Sequence, residues 1–125
     1  MELLQVAMQI EKKVALLEKA RDRLKEYAEN KARTTAIYEK QIAITMTLLK
    51  NGRSFEMDDD GMKVELKTST ASNAKDIAKG VCHQYSLDML LAEALYKNCV
   101  VQIECIKAEL NGYQSIFRHL DVGMK

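Results

Sequence analysis

Residues 85–120, YSLDMLLAEALYKNCVVQIECIKAELNGYQSIFRHL, decide the fold. Met89, Tyr96, Ile103, Leu110 and Phe117 recur at intervals of seven, and Tyr85, Ala92, Cys99, Ile106, Tyr113 and Leu120 make a second row between them. Apolar residues alternately three and four apart share one face of a helix and describe a seam where two helices pack. The spacing predicts a helix over about 82–120. A further apolar set, Leu91, Leu95, Val101, Cys105, Ala108 and Ile116, widens the buried face past what one partner helix needs, which predicts a bundle. Gly112 costs roughly 1 kcal/mol against Ala inside a helix and marks a close crossing or a kink.

The partner helix lies upstream. From Glu2 to Lys50 there is neither Gly nor Pro and strong helix formers dominate, so one helix over about 2–50 is predicted. Leu3, Ile10, Leu17 and Leu24 lie seven apart, with Val6, Ala20 and Tyr27 between them and Val14 beside them; Lys13 is the one violation. The stripe weakens at Lys31 and Thr34 and resumes, shifted, as Ile37, Tyr38, Ile42, Thr45, Leu48 and Leu49. A drifting stripe faces different neighbours along its length. Asn51-Gly52 supplies residues that tolerate the left-handed conformation at a helix C-terminus. At about 1.5 Å per residue the first helix outruns the second by some 15 to 20 Å, so Leu3, Val6 and Ile10 on its overhanging end are expected to pack on another copy.

Between the helices the period changes to two. Phe55 and Met57 alternate with Ser54 and Glu56, and Met62, Val64 and Leu66 alternate with Lys63, Glu65 and Lys67, on either side of Asp58-Asp59-Asp60-Gly61. This predicts a β-hairpin over about 54–67 turning at Asp60-Gly61. A lone hairpin is marginal in water, so its apolar face must lie on the helices or on another copy. Thr68 to Asn73 reads as a polar linker, Ser72-Asn73 as an N-cap pair, and 74–80 as a short turn that Gly80 separates from the second helix. The expected architecture is mainly α: a long antiparallel helical hairpin with an inserted β-hairpin, a single domain over 1–125, assembled into an oligomeric helical bundle.

The chain has 125 residues, 19 basic and 18 acidic side chains, no Pro and no Trp. Near-cancelled charge argues against coating nucleic acid or an anionic membrane by bulk electrostatics. No apolar run approaches the roughly 18 to 20 residues that cross a bilayer, and Gln5, Gln9 and Glu11 interrupt what would be the core of a signal peptide, so no membrane association is expected. Three cysteines, Cys82, Cys99 and Cys105, suit a reducing cytoplasm. Their spacing with His83 fits no zinc pattern, and the consecutive Asp58, Asp59 and Asp60 lack the alternation of a calcium loop, so neither metal nor cofactor is expected. No acid/base pair or activated nucleophile assembles from the sequence, which reads as non-catalytic.

Three kinds of partner remain. Asp58, Asp59 and Asp60 on a projecting turn suit a protein partner, imitating phosphate charge at a basic site. The basic residues from Lys12 to Arg33, with Lys63 and Lys67, are the elements of a nucleic-acid interface, although Lys25, Glu29 and Arg33 alternate in sign as a solvated helix face does. Arg53, Lys67, Lys75, His83 and the hydroxyls of residues 68–72 are candidate contacts for a small anionic signalling molecule held between subunits.

Lys75-Asp76-Ile77-Ala78-Lys79-Gly80, Ala92-Glu93-Ala94-Leu95-Tyr96-Lys97 and Glu109-Leu110-Asn111-Gly112-Tyr113-Gln114-Ser115 follow one another in an order that resembles a group of small helical proteins encoded by phages and prophages in early regions near replication or recombination genes. The resemblance covers about Tyr38 to Leu120, with the Phe55 to Thr68 hairpin as an enlargement and Gly112 as a departure. It implies a phage origin and an accessory role in the host cytoplasm and brings no functional residues with it. The expectation is a non-catalytic homo-oligomer that binds a host or phage protein stoichiometrically, inhibiting a defence complex or adapting replication or recombination machinery.

Overall fold

The computed structural model describes residues 2–67 and 73–123, apart from the side chain of Asp59. Its elements are α1 (Leu3–Lys50), β1 (Phe55–Asp59), β2 (Met62–Leu66), α2 (Ala74–Val81) and α3 (His83–Gly123), so the protein is mainly helical with one two-stranded antiparallel sheet. The chain divides into two compact units, one made of Met1–Glu29 and Ala94–Lys125, the other of Asn30–Glu93.

In the first unit α1 and α3 pack along the heptad rows. Leu17, Ala20, Cys99 and Ile103 form the buried cluster, with Leu24, Tyr27, Ile106 and Leu110 against it. The Cys99 thiol donates to the Ala20 carbonyl at 3.4 Å, and the Lys13 ammonium pairs with the Glu109 carboxylate. Position 13 meets 109 and position 20 meets 99, so the helices run antiparallel here. Small Ala20 and Cys99 at the centre let the two backbones come close. Lys13 is no violation of the seam. Seven residues on from Val6 and seven before Ala20, it occupies a seam position with its side chain 18 % exposed and its charge answered by Glu109, while Val14 stays exposed.

The overhang does not exist at Val6, which is completely buried within the chain. Leu3 and Ile10 are half-buried, and α3 continues three residues past the expected end, to Gly123. The apolar groups left open on that stretch of α1 are Leu4 and Met8. Val6 is therefore withdrawn as an oligomer contact: its own chain covers it.

The second unit is built around the end of α1. Leu49, Ala74 and Ala78 are buried together, with Ile42, Met46, Phe55 and Ile77 packed on them. Thr34, where the stripe weakened, donates its hydroxyl to the Asn30 and Lys31 carbonyls of its own helix, which lets a polar residue be half-buried. α1 ends as the sequence predicts: Gly52 has φ +85°, its N–H donates to the Leu49 carbonyl, and the Arg53 N–H donates to Leu48, the paired bonds of a Schellman cap. The hairpin turns at Asp60 and Gly61, both with positive φ, the signature of a type I′ turn. Phe55 pairs with Leu66 and Met57 with Val64 on one face, Glu56 with Glu65 and Asp58 with Lys63 on the other.

The segment over 74–80, expected as a short turn, is a helix, α2, that includes Gly80, and the break before α3 falls at Cys82, where the second helix is expected to begin. Cys82 is buried with its sulfur 3.4 Å from the Thr45 hydroxyl, so the chain breaks where a small side chain is pinned against α1. Asn73 stands at the N-cap position of α2 without a side-chain cap bond. Residues 68–72, including the hydroxyls proposed as anion contacts and Ser72 of the cap pair, lie outside the described residues.

Candidate functional site

The half of the hairpin's apolar face that is not spent on the core forms a cleft in the second unit. Phe55 at one end packs on the buried cluster, anchoring the hairpin. Beyond it Met57, Val64 and Leu66 line a cavity of about 380 Å³ together with Asp58, Gly80 and His83, a volume within the range of small-ligand and side-chain pockets. The floor is apolar because strand alternation puts Met57, Val64 and Leu66 on one side. Gly80 leaves room: a Cβ built there has nothing within 4 Å.

His83, the first residue of α3, contributes the polar group. Its Nδ1 lies 3.2 Å from the Gly80 carbonyl. A carbonyl only accepts, so Nδ1 carries the proton in this bond and Nε2 is the ring's acceptor when the ring is neutral. The link holds the imidazole over the α2–α3 junction. Asp58 lies at the cleft edge, but alternation assigns its carboxylate to the opposite face of the hairpin, across from Lys63. The lining thus offers one imidazole on an apolar floor, an arrangement suited to receiving an apolar side chain with a hydrogen-bond donor beside it.

The remaining sequence candidates are dispersed. Asp58 sits in strand β1, Asp59 ends it, and Asp60 occupies the turn with φ +48°. Asp60 has a conformational reason to be where it is. Of the anion candidates, His83 lines the cleft; Arg53, Lys63, Lys67 and Lys75 are exposed and are not part of its lining. Among the described residues no group of three His, Cys, Asp or Glu side chains is placed to hold a metal ion. No helix among the described residues is long and apolar enough to cross a membrane.

Leu91, Leu95, Val101, Cys105, Ala108 and Ile116, the set that widens the apolar face of the helix, are all exposed on the single chain, as are Leu87 and Leu90. Leu91, Val101, Cys105 and Ala108 each follow an inner position by two residues, about 200° around the helix, so they lie opposite the seam that α1 fills, while Leu95 and Ile116 follow by three and lie on its flank. The signal for this was present in the sequence as a second row of three-and-four spacing, offset from the first.

A displaced pKa belongs to the first unit. The hydrogen bond from Lys13 to Glu109 raises the lysine above its ordinary value against a smaller opposing effect of burial, with the Glu109 charge and Tyr113 adding to the rise. It marks a structural ion pair and not a reactive group. Compared with protein-family models, with curated proteins and with solved structures, the chain matches none of them.

Proposed function

We propose that this is a non-catalytic binding protein that acts by stoichiometric contact with another protein, presenting the hairpin and its cleft as the recognition surface. One observation carries it: the hairpin is anchored by Phe55, yet keeps Val64 and, at 71 % exposure, Met62 open beside the His83 cleft. An apolar strand face that could have been buried by a few more residues of helix is left for a partner. The acidic outer edge, with Asp58 and Asp60, adds charge that steers a basic surface toward it. The resemblance to phage proteins directs the search to bacterial host proteins.

A pull-down from bacterial lysate, with and without nuclease, tests this against the two other classes. The expected result is a host protein retained after nuclease treatment by the native chain, and lost both by Val64→Glu and by the joint replacement of Asp58, Asp59 and Asp60 with Asn, while the far-ultraviolet helix signal is unchanged. Retention of nucleic acid alone, falling steeply with salt, would transfer the function to Lys63 and Lys67. A rise in melting temperature with the lysate's small-molecule fraction, and no retained protein, would favour a ligand sponge. The exposure of Arg53, Lys67 and Lys75 away from the cleft weighs against that last case.

A further inference from the structure

Within the first unit, α3 has a face that its own chain leaves uncovered. Leu95, Val101, Cys105, Ala108, Gly112 and Ile116 are all exposed there; the central rows, which Asn98 and Ser115 continue, carry no charged side chain, while Leu95 and Ile116 share a flanking row with Glu109. Depletion of charge at the centre with apolar and small residues is the composition of an interface core. Gly112 is the telling member. It costs roughly 1 kcal/mol against Ala in a helix interior, its φ is ordinary, and outside its own turn of helix nothing among the described residues comes within 4 Å of where a Cβ would stand. No contact inside the molecule requires it.

We propose that this face is a homodimer interface in which two copies of α3 pair antiparallel about a two-fold axis near Ile106 and Lys107. The sequence is self-complementary in that register. Val101 falls opposite Gly112 of the second copy and Cys105 opposite Ala108, so the larger group always meets the smaller. Asn98 falls opposite Ser115, pairing polar with polar. On the flanks Leu95 meets Ile116, Gln102 meets Glu109 and Glu104 meets Asn111. Lys97 and Arg118 are the one like-charged match, at the solvated rim, where charges interact weakly. A parallel pairing is worse on each count: it stacks Gly112 on Gly112, brings Glu104 toward Glu109, and aligns the helix dipoles. A two-fold axis requires the same patch on both copies, which is what this matching supplies.

The size of the patch sets the strength. From Ala94 to Ile116 the face is about 33 Å long and, with side chains, about 10 to 12 Å wide, roughly 350 Å² on each copy and roughly 700 Å² in all, which is well under the roughly 1,200 Å² of a standard interface and in the range of weak, transient ones. Self-association is therefore reversible and dilution-dependent. It is independent of the hairpin surface, so loss of the dimer and loss of partner capture are separate events.

The experiment is light scattering over a dilution series of the full chain, with disulfide mapping. The native chain is expected to dimerise. Val101→Glu and Gly112→Leu are expected to weaken the dimer about 100-fold or more, in keeping with loss of a central contact on both copies, while helix content is kept, since neither side chain serves the chain's own core. Ala108→Cys is expected to give a covalent dimer on mild oxidation through Cys105 of the second copy, and to lose it when Cys105→Ser is added; Cys82 and Cys99 are buried and silent. A native chain that is monomeric at every concentration overturns the proposal, as does a dimer indifferent to Val101→Glu. Ready Cys105 to Cys105 cross-linking of the native chain, with none gained by Ala108→Cys, overturns the antiparallel register.

Discussion

The two units solve the same problem, burying a helix face, by different means. In the first, α1 and α3 meet along a seam in which Leu17, Ala20, Cys99 and Ile103 are buried together, with Leu24, Tyr27, Ile106 and Leu110 half-buried against them. In the second, Phe55 of the hairpin and α2 pack on the end of α1, and the buried cluster is one leucine and two alanines, Leu49, Ala74 and Ala78. A seam distributes its energy over many equivalent layers; a corner concentrates it on a few residues. The second unit is thus expected to open first, and it is the unit that carries the hairpin and cleft, in keeping with binding elements being drawn from the less stable parts of a fold.

The largest effects test that contrast. Leu49→Ala and Ile103→Ala each remove a buried aliphatic group and are expected to cost about 2 to 5 kcal/mol. Native-state hydrogen exchange should show that Leu49→Ala lowers protection throughout α2 and the hairpin while leaving the amides around Ala20 and Cys99 near their native values. Ile103→Ala should do the reverse. Equal loss of protection everywhere from either change would mean that the two units unfold as one.

Glycines give the next test, because the two regions use them oppositely. Gly61→Ala forces an L residue into φ +82° and is expected to destabilise the hairpin by about 1 to 2 kcal/mol. Gly112→Ala adds a methyl where there is open space and restores helix propensity, so the dilute monomer should gain about 1 kcal/mol. Thermal melts of the two variants at low concentration should move in opposite directions.

How much of this was legible in the sequence follows the same division. The seam, the Asn51-Gly52 stop and the Asp60-Gly61 turn were all readable because each depends on residues within a few positions of one another or on a repeat. The break at Cys82 was readable to within a residue, but its reason was not, because the sulfur packs against Thr45, thirty-seven positions away. Nor was the cleft, which needs Val64 and His83 brought together from separate elements. Heptad spacing identified both rows on α3 and could not say which had a neighbour: a period reports which residues share a face, not what stands opposite. Lys13 shows the same limit in small, since charge alone made a seam position look like an interruption.

The hairpin's outer face offers a smaller effect. Glu56 stands directly across from Glu65, an arrangement of like charges that weakens a strand pair. Glu65→Lys is expected to stabilise the hairpin by about 0.2 to 1 kcal/mol, read as slower exchange of the β1 and β2 amides with no change at the seam. A matching change in the first unit would again deny the separation of the two.

The smallest effect is a pH dependence confined to the seam. Lys13 is held above its ordinary value near 10.5 by its bond to Glu109. A base whose pKa is higher folded than unfolded binds its proton more tightly in the native state, so its stabilisation is complete below the unfolded value and disappears as the pH climbs through the folded one. The difference in denaturation midpoint between the native chain and Lys13→Met should therefore stay constant from neutral pH to about 10 and shrink above 10.5. Methionine keeps the straight stem against the seam while removing the charge, so packing is common to both chains and cancels. Exchange measured at the hairpin over the same pH range should be identical in the two proteins, because the ion pair belongs to the first unit alone; a difference there would show that the seam and the corner are energetically joined.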